Sequence, residues 1–282
     1  MFKNFKVIIM KRRITQKRKK VNRNYLKRAI FLVLILIGGL LVFILRTKYW
    51  NNHGKTAVVG DRGGDVVISL FDSKADSQTE VIIPGETQVL AAYNLGTWKL
   101  KSLWKLGKDE KIGDSLMTRS ISMNFGFPVF ISWDGLSAGD KIRIILFSLF
   151  HRNRKDVIYL KDTNYLKKTV FLDGENGYLI SNNIPEEISS LFSDQEEFGS
   201  LLKAKIIDST DSYLVANKIG KIIQTMGIKV ASISKGQDFK SDCKIIGKNK
   251  ELVKKVSLVL GCRQTEIKDS ISFDLEIYLG RY

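Results

Sequence analysis

Residues 61–65 read DRGGD, the one place in the 282-residue chain where a base, two acids and two glycines meet ahead of an apolar run. Such a loop could hold a phosphate through Arg62 and backbone amides while Asp65 or Asp61 binds a metal ion. It could equally be a flexible loop that caps a strand, since charged glycine-rich loops are ordinary. Twenty residues on, EVIIPGETQV (80–89) ends an apolar run with Pro84-Gly85 and then places Glu86, which reads either as the rim of a site or as a tight turn. Lys99 and Lys101 follow in GTWKLKSLWKLG (96–107). The chain has no H-E-x-x-H pair, P-loop or G-x-G-x-x-G, and its two histidines, His53 and His151, lie far from Cys243 and Cys262. Two thiols without nearby histidines make a poor zinc site.

The elements that must position these residues divide into an anchor and a body. The net charge of +17 is uneven: residues 1–28 hold twelve Lys and Arg and no acid, and the other 254 residues carry 34 bases and 29 acids. A basic extreme on a near-neutral body is a tail, and no nucleic-acid-binding face is expected. Ala29 to Leu45, AIFLVLILIGGLLVFIL, follows with no charge and no polar stripe. At 1.5 Å per residue it covers roughly 25 Å, which suits a transmembrane helix whose flanking Lys27, Arg28 and Arg46 reach the interfaces. The excess of bases before the span puts the N-terminus in the cytoplasm, with Tyr49 and Trp50 at the outer interface and the rest extracytoplasmic. Twelve cations beside a membrane attract anionic lipid without any nucleic acid.

Outside the cell a pair of cysteines reads as a disulfide. The body divides into an α/β domain over 51–185, a linker over 186–200 and a C-terminal domain over 201–282. In the first, DVVISLF (65–71) and TEVIIP (79–84) read as a hairpin, Leu95, Trp98, Leu103, Trp104 and Leu106 offer an amphipathic face, Asp114 opens a helix as its cap, and PVFISWDG (128–135) reads as a strand. A short helix is expected over Glu186 to Phe192. In the C-terminal domain the order is β-α-β-β-α-β: LLKAKIID, a helix closed by Gly227, IKVASIS, CKIIG, a helix closed by Gly261, and FDLEIYLG. A four-stranded sheet with two helices on one face is the economical packing. A five-residue strand covers about 15 Å and eleven helical residues return about 16 Å, so Cys243 and Cys262 finish at one end of the domain. A structural bridge is expected, with two buried free thiols as the alternative.

A basic tail, one apolar span, R-x-x-D before a strand (Arg62, Asp65), a hairpin ending IIPGET (82–87), and GTWKLKSLWKLG followed by a helix and GFPV (126–129) together resemble the LytR-CpsA-Psr family of cell-envelope proteins. The C-terminal part is similar to the module often attached to them, with DSTDSYLVA (208–216) in place of a glycine-rich N-G-T-G-x-x-G-L-A loop and YLG (278–280) at the end. Active members move a glycopolymer from a polyprenyl-pyrophosphate carrier to peptidoglycan, with arginines on the pyrophosphate and aspartates on magnesium. The resemblance implies Arg62, Asp65 and Glu86 as catalytic residues, Lys99 and Lys101 as substrate contacts, and Asp65 as a magnesium ligand if the domain is active. The chain departs where the family has S-I-P-R-D-T: Gly85 stands for the arginine and Glu86 for the aspartate. Each missing charge-assisted bond forfeits about 1.5–3 kcal/mol. Ser209, Asp211 and Leu214 likewise replace glycines in the C-terminal loop. The reading expected is a membrane-anchored, non-catalytic binding or scaffold relative, with no firm cofactor and with cell-wall glycan or polyprenyl-pyrophosphate lipid as partner. The alternative is an active magnesium-dependent phosphotransferase.

Overall fold

A computed structural model describes residues 23–45, 49–50, 54–151, 154–181, 184–193, 202–210, 213–236, 243–265 and 271–280. Most of the basic tail, Arg46, Lys48, His53, Asp211 and residues 194–200 of the expected linker lie outside them. The chain forms two compact units, Met1–Ile44 and Leu45–Tyr282.

Helix α1 runs Arg23–Leu45, with all but its last residue in the first unit. Ile30, Phe31, Leu32, Val33, Leu34, Ile35, Leu36, Ile37 and Val42 are all exposed on it. Side chains are described there only for residues 27, 28, 30–39 and 42. Among the described residues no helix is long and apolar enough to cross a membrane.

The second unit is mixed α/β. Its N-terminal half contains β1 (Lys55–Arg62), β2 (Asp65–Asp72), β3 (Ser77–Ile83), β4 (Gln88–Leu90), β5 (Thr97–Lys99), α2 (Leu103–Asp109), α3 (Ser115–Phe125), β6 (Ile131–Ser132), α4 (Ala138–Phe150), β7 (Lys155–Tyr159), β8 (Leu166–Val170), β9 (Asn176–Ile180) and α5 (Glu186–Phe192). One sheet has the order β6-β1-β2-β3-β7, antiparallel in its three central strands and parallel at both edges. Strands β2 and β3 are buried along most of their length because both faces of the sheet are covered. Val66, Ile68, Val81 and Ile83 pack with Leu116, Ile121 and Phe125 of α3. On the opposite face Val58 and Phe71 pack with Trp50, Ile144 and Phe147 of α4.

The expected hairpin is present in register, Val66 opposite Ile83. Four expectations change. Trp50, expected at the outer membrane interface, is instead buried against Phe71 and Phe147. Trp98 does not join the expected buried face: Gly96 turns at φ 80°, Thr97–Lys99 pairs with Gln88–Leu90, and the Trp98 ring is exposed. The strand over PVFISWDG contracts to Ile131–Ser132, because Gly135 N–H turns back onto the Ser132 carbonyl and hydroxyl. Asp114 stands at the head of α3, but its carboxylate accepts from the Ser132 hydroxyl and makes no cap bond. Helix α5 forms where expected, and its Ile188 and Phe192 enter the first core, Phe192 stacking on Phe127 at 4.4 Å.

The C-terminal half contains β10 (Lys203–Asp208), α6 (Tyr213–Thr225), β11 (Lys229–Lys235), β12 (Cys243–Gly247), α7 (Lys250–Leu260), β13 (Arg263–Gln264) and β14 (Leu275–Leu279). The sheet order is β11-β10-β14-β12-β13, so the expected four strands gain a two-residue edge strand after α7. Strands alternate as a one-sided sheet should. Ile206, Ile277 and Ile245 align across three strands, fully buried with Ile219, Ile222, Ile223, Val256 and Leu252 of the two helices. Gly227 and Gly261 close the helices at φ 86° and 63°, a conformation that favours glycine. The Asn249 side chain caps α7 by accepting from the N–H groups of Glu251 and Leu252. Cys243 and Cys262 form a disulfide, Cα–Cα 4.7 Å.

Candidate functional site

The Arg62–Asp65 hairpin turns through Gly63 and Gly64, φ 63° and 91°, a two-residue turn that glycines accept without steric cost. The turn sends its two charged residues to different tasks. Arg62 Nη2 reaches both carboxylate oxygens of Glu80, at 3.0 and 2.9 Å, and Lys155 Nζ approaches the same carboxylate at 2.7 Å. Glu80 is buried, so these two cations neutralise a charge the sheet could not hold alone. Asp65 Oδ1 accepts the Gly85 N–H at 3.0 Å.

Around Gly85 the backbone is closely packed. Its carbonyl accepts from Lys101 N–H at 3.0 Å, and Thr87 N–H closes the turn onto the Pro84 carbonyl at 3.0 Å. A Cβ added at Gly85 would stand 1.9 Å from the Gly64 carbonyl oxygen and 2.9 Å from Lys101 Cβ. No side chain fits there. Glu86 forms ion pairs with Lys101 and, at 3.2 Å, with Lys99, which also pairs with Glu175. The Lys101 ammonium bonded to Glu86 holds its carboxyl below the ordinary carboxylate value, with Lys99 assisting and the loss of water opposing.

The turn thus brings Asp65, Glu86, Lys99 and Lys101 to one backbone segment and directs Arg62 to Glu80. Asp65 uses one oxygen on an amide, and Glu86 is matched by two ammonium groups. A hard divalent cation would need several free oxygen donors, and these residues do not supply them. Among the described residues no group of three or more His, Cys, Asp or Glu could hold a metal ion.

Two clefts that sequence reasoning missed lie where α3 meets α6. The larger, about 1020 Å³, is lined by polar groups including Gln88, Ser189, Ser190, Asn217 and Lys221. The smaller, about 230 Å³, is lined by Tyr93, Arg119, Val215, Ile219 and Leu260; Met123, Asn124, Leu214 and Lys218 border both. Arg119 donates to the Leu260 carbonyl at the C-terminus of α7, where a cation is favoured, and lies 4.7 Å from the Tyr93 ring centroid. Burial, and secondarily Lys221, push the Lys218 ammonium below its ordinary value. Elements about a hundred residues apart build these clefts, so no local motif announces them.

No family model matches the chain, and no curated protein matches it. Solved structures that align with it include the Lin1025 protein from Listeria innocua, at 12% identity and TM-score 0.21 over 82% of this chain and 92% of that one. A transcriptional regulator (EF0465) from Enterococcus faecalis aligns at 9% identity and TM-score 0.21, over 75% and 89%. Likeness at that level carries no argument about fold or function.

Proposed function

We propose that the protein is a membrane-anchored, extracytoplasmic cell-envelope protein and a non-catalytic binding or scaffold relative of the LytR-CpsA-Psr proteins. Residues 29–45 are its transmembrane helix, 1–28 its cytoplasmic tail on anionic lipid, 51–185 its family-like domain and 201–282 the attached C-terminal module. The observation that carries the non-catalytic reading is Gly85: where the family sets an arginine on the pyrophosphate, the Gly64 carbonyl occupies the space of any Cβ. The surrounding charges support it, since Arg62 is engaged by Glu80, Asp65 by an amide and Glu86 by two lysines. The larger cleft, rich in hydroxyl and amide groups, offers a binding role a place suited to a glycan segment.

An active phosphotransferase is the second reading, favoured by the two ammonium groups of Lys99 and Lys101 beside Glu86. A lysine supplies a point charge and no fork, so the pair substitutes poorly for a bidentate arginine. Topology is tested by protease added to intact cells. Cleavage within the body is expected; a body left untouched while control surface proteins are cut contradicts the outward placement.

A further inference from the structure

Helix α4 is apolar on two opposite faces. Ile144 and Phe147 face the core with the buried Asp140. On the far side Ile142, Ile145, Leu146 and Leu149 follow i, i+3, i+4, i+7 spacing, and Ile145, Leu146, Leu149 and Phe150 are 46%, 44%, 65% and 79% exposed. A helix with apolar residues on both sides needs a second apolar neighbour or a membrane.

The chain itself indicates which. Asp140 Oδ1 accepts both the Tyr49 and the Trp50 N–H, each at 3.1 Å, and the Trp50 ring meets Phe147 edge-on at 5.2 Å. Only residues 46–49 separate Trp50 from Leu45, the end of the apolar run. Five extended steps reach at most about 18 Å, so a membrane boundary at the end of that run would leave only a short length of chain before Trp50. Lys141 and Arg143 on the helix and Arg154 after it are bases, while the helix's one acid is the buried Asp140. Bases beside an apolar stripe suit a surface of anionic lipid.

We propose that α4 lies in the outer membrane–water interface with Ile145, Leu146, Leu149 and Phe150 in the bilayer, holding the body against the membrane. This rests on the reading of 29–45 as the membrane anchor, and the test separates the two. The full chain is reconstituted in phosphatidylcholine vesicles containing phosphatidylglycerol, with a bimane label at Leu149→Cys, at Leu36→Cys in α1, or at the exposed Glu251→Cys in α7. Nitroxide lipids of graded depth are the quenchers. The label at 149 should be quenched by a shallow acyl nitroxide at least about threefold more than the label at 251, at every protein density. Adding Leu146→Glu and Phe150→Glu should abolish that difference. If the label at 36 is quenched from mid-bilayer and that at 149 matches 251, the interfacial helix is refuted and the anchor stands. If the label at 36 also escapes, both fall. Shielding at 149 that grows with protein density would assign the face to a second copy and refute the lipid contact.

Discussion

Replacing Gly85 with alanine is expected to destabilise the folded body by about 3 kcal/mol, near the top of the range for overpacking a tight site. A new Cβ at 1.9 Å from the Gly64 carbonyl oxygen meets backbone, which cannot rotate aside as a flexible side chain would. Moving either strand end to relieve the clash would strain the Asp65 bond to Gly85 N–H and the Lys101 bond to its carbonyl. For a body of this size the loss corresponds to a melting temperature lower by about 6–12 °C. Gly60→Ala is the control: nothing lies within 4 Å of the added Cβ, so its stability should change little. Urea denaturation of the three proteins decides; a Gly85→Ala midpoint equal to that of Gly60→Ala would show that the turn has room for a side chain. Gly85→Arg, which restores the family's residue type, should be at least as destabilised and gain no activity.

The second large effect concerns the disulfide. Cys243 opens β12 and Cys262 follows Gly261 at the end of α7, so the bond ties a sheet strand to the helix that covers it. With a sequence separation of 19, loop closure in the unfolded chain predicts a stabilisation of about 3 kcal/mol. Unfolding of the wild-type protein with and without a phosphine reductant should show that difference. Cys243→Ala with Cys262→Ala should show slightly more, because both sulfurs sit in the core and their removal leaves space. Equal stability with and without reductant, after mass spectrometry has confirmed reduction, would contradict a stabilising bridge.

The C-terminal half was legible because its signals are local. Apolar spacing marks α6 and α7, terminal glycines close both, and alternation marks β10, β12 and β14. Helix α4 escaped the same reading because KIRIILFSLF carries apolar residues on two opposite faces and so lacks the single stripe that marks a one-sided helix. Its start was signalled nonetheless: Ser137 accepts from Asp140 N–H and donates to the Asp140 carboxylate, an S-x-x-D cap that could have been read. The residues of the charged turn were also visible, but not their partners. Glu80 lies inside the run TEVIIP and gives no hint that it faces Arg62 and Lys155 across the sheet. Likewise the missing arginine at 85 could be read from the resemblance, whereas the reason none could fit depends on the Gly64 carbonyl 21 residues earlier.

The non-catalytic reading of that turn is tested most directly by phosphate release. Full-length protein in vesicles, given magnesium and a polyprenyl-pyrophosphate analogue, should release phosphate no faster than protein-free vesicles, and Arg62→Ala should be indistinguishable from wild type. Magnesium-dependent turnover that Arg62→Ala abolishes would contradict it and establish that the site cleaves the pyrophosphate bond.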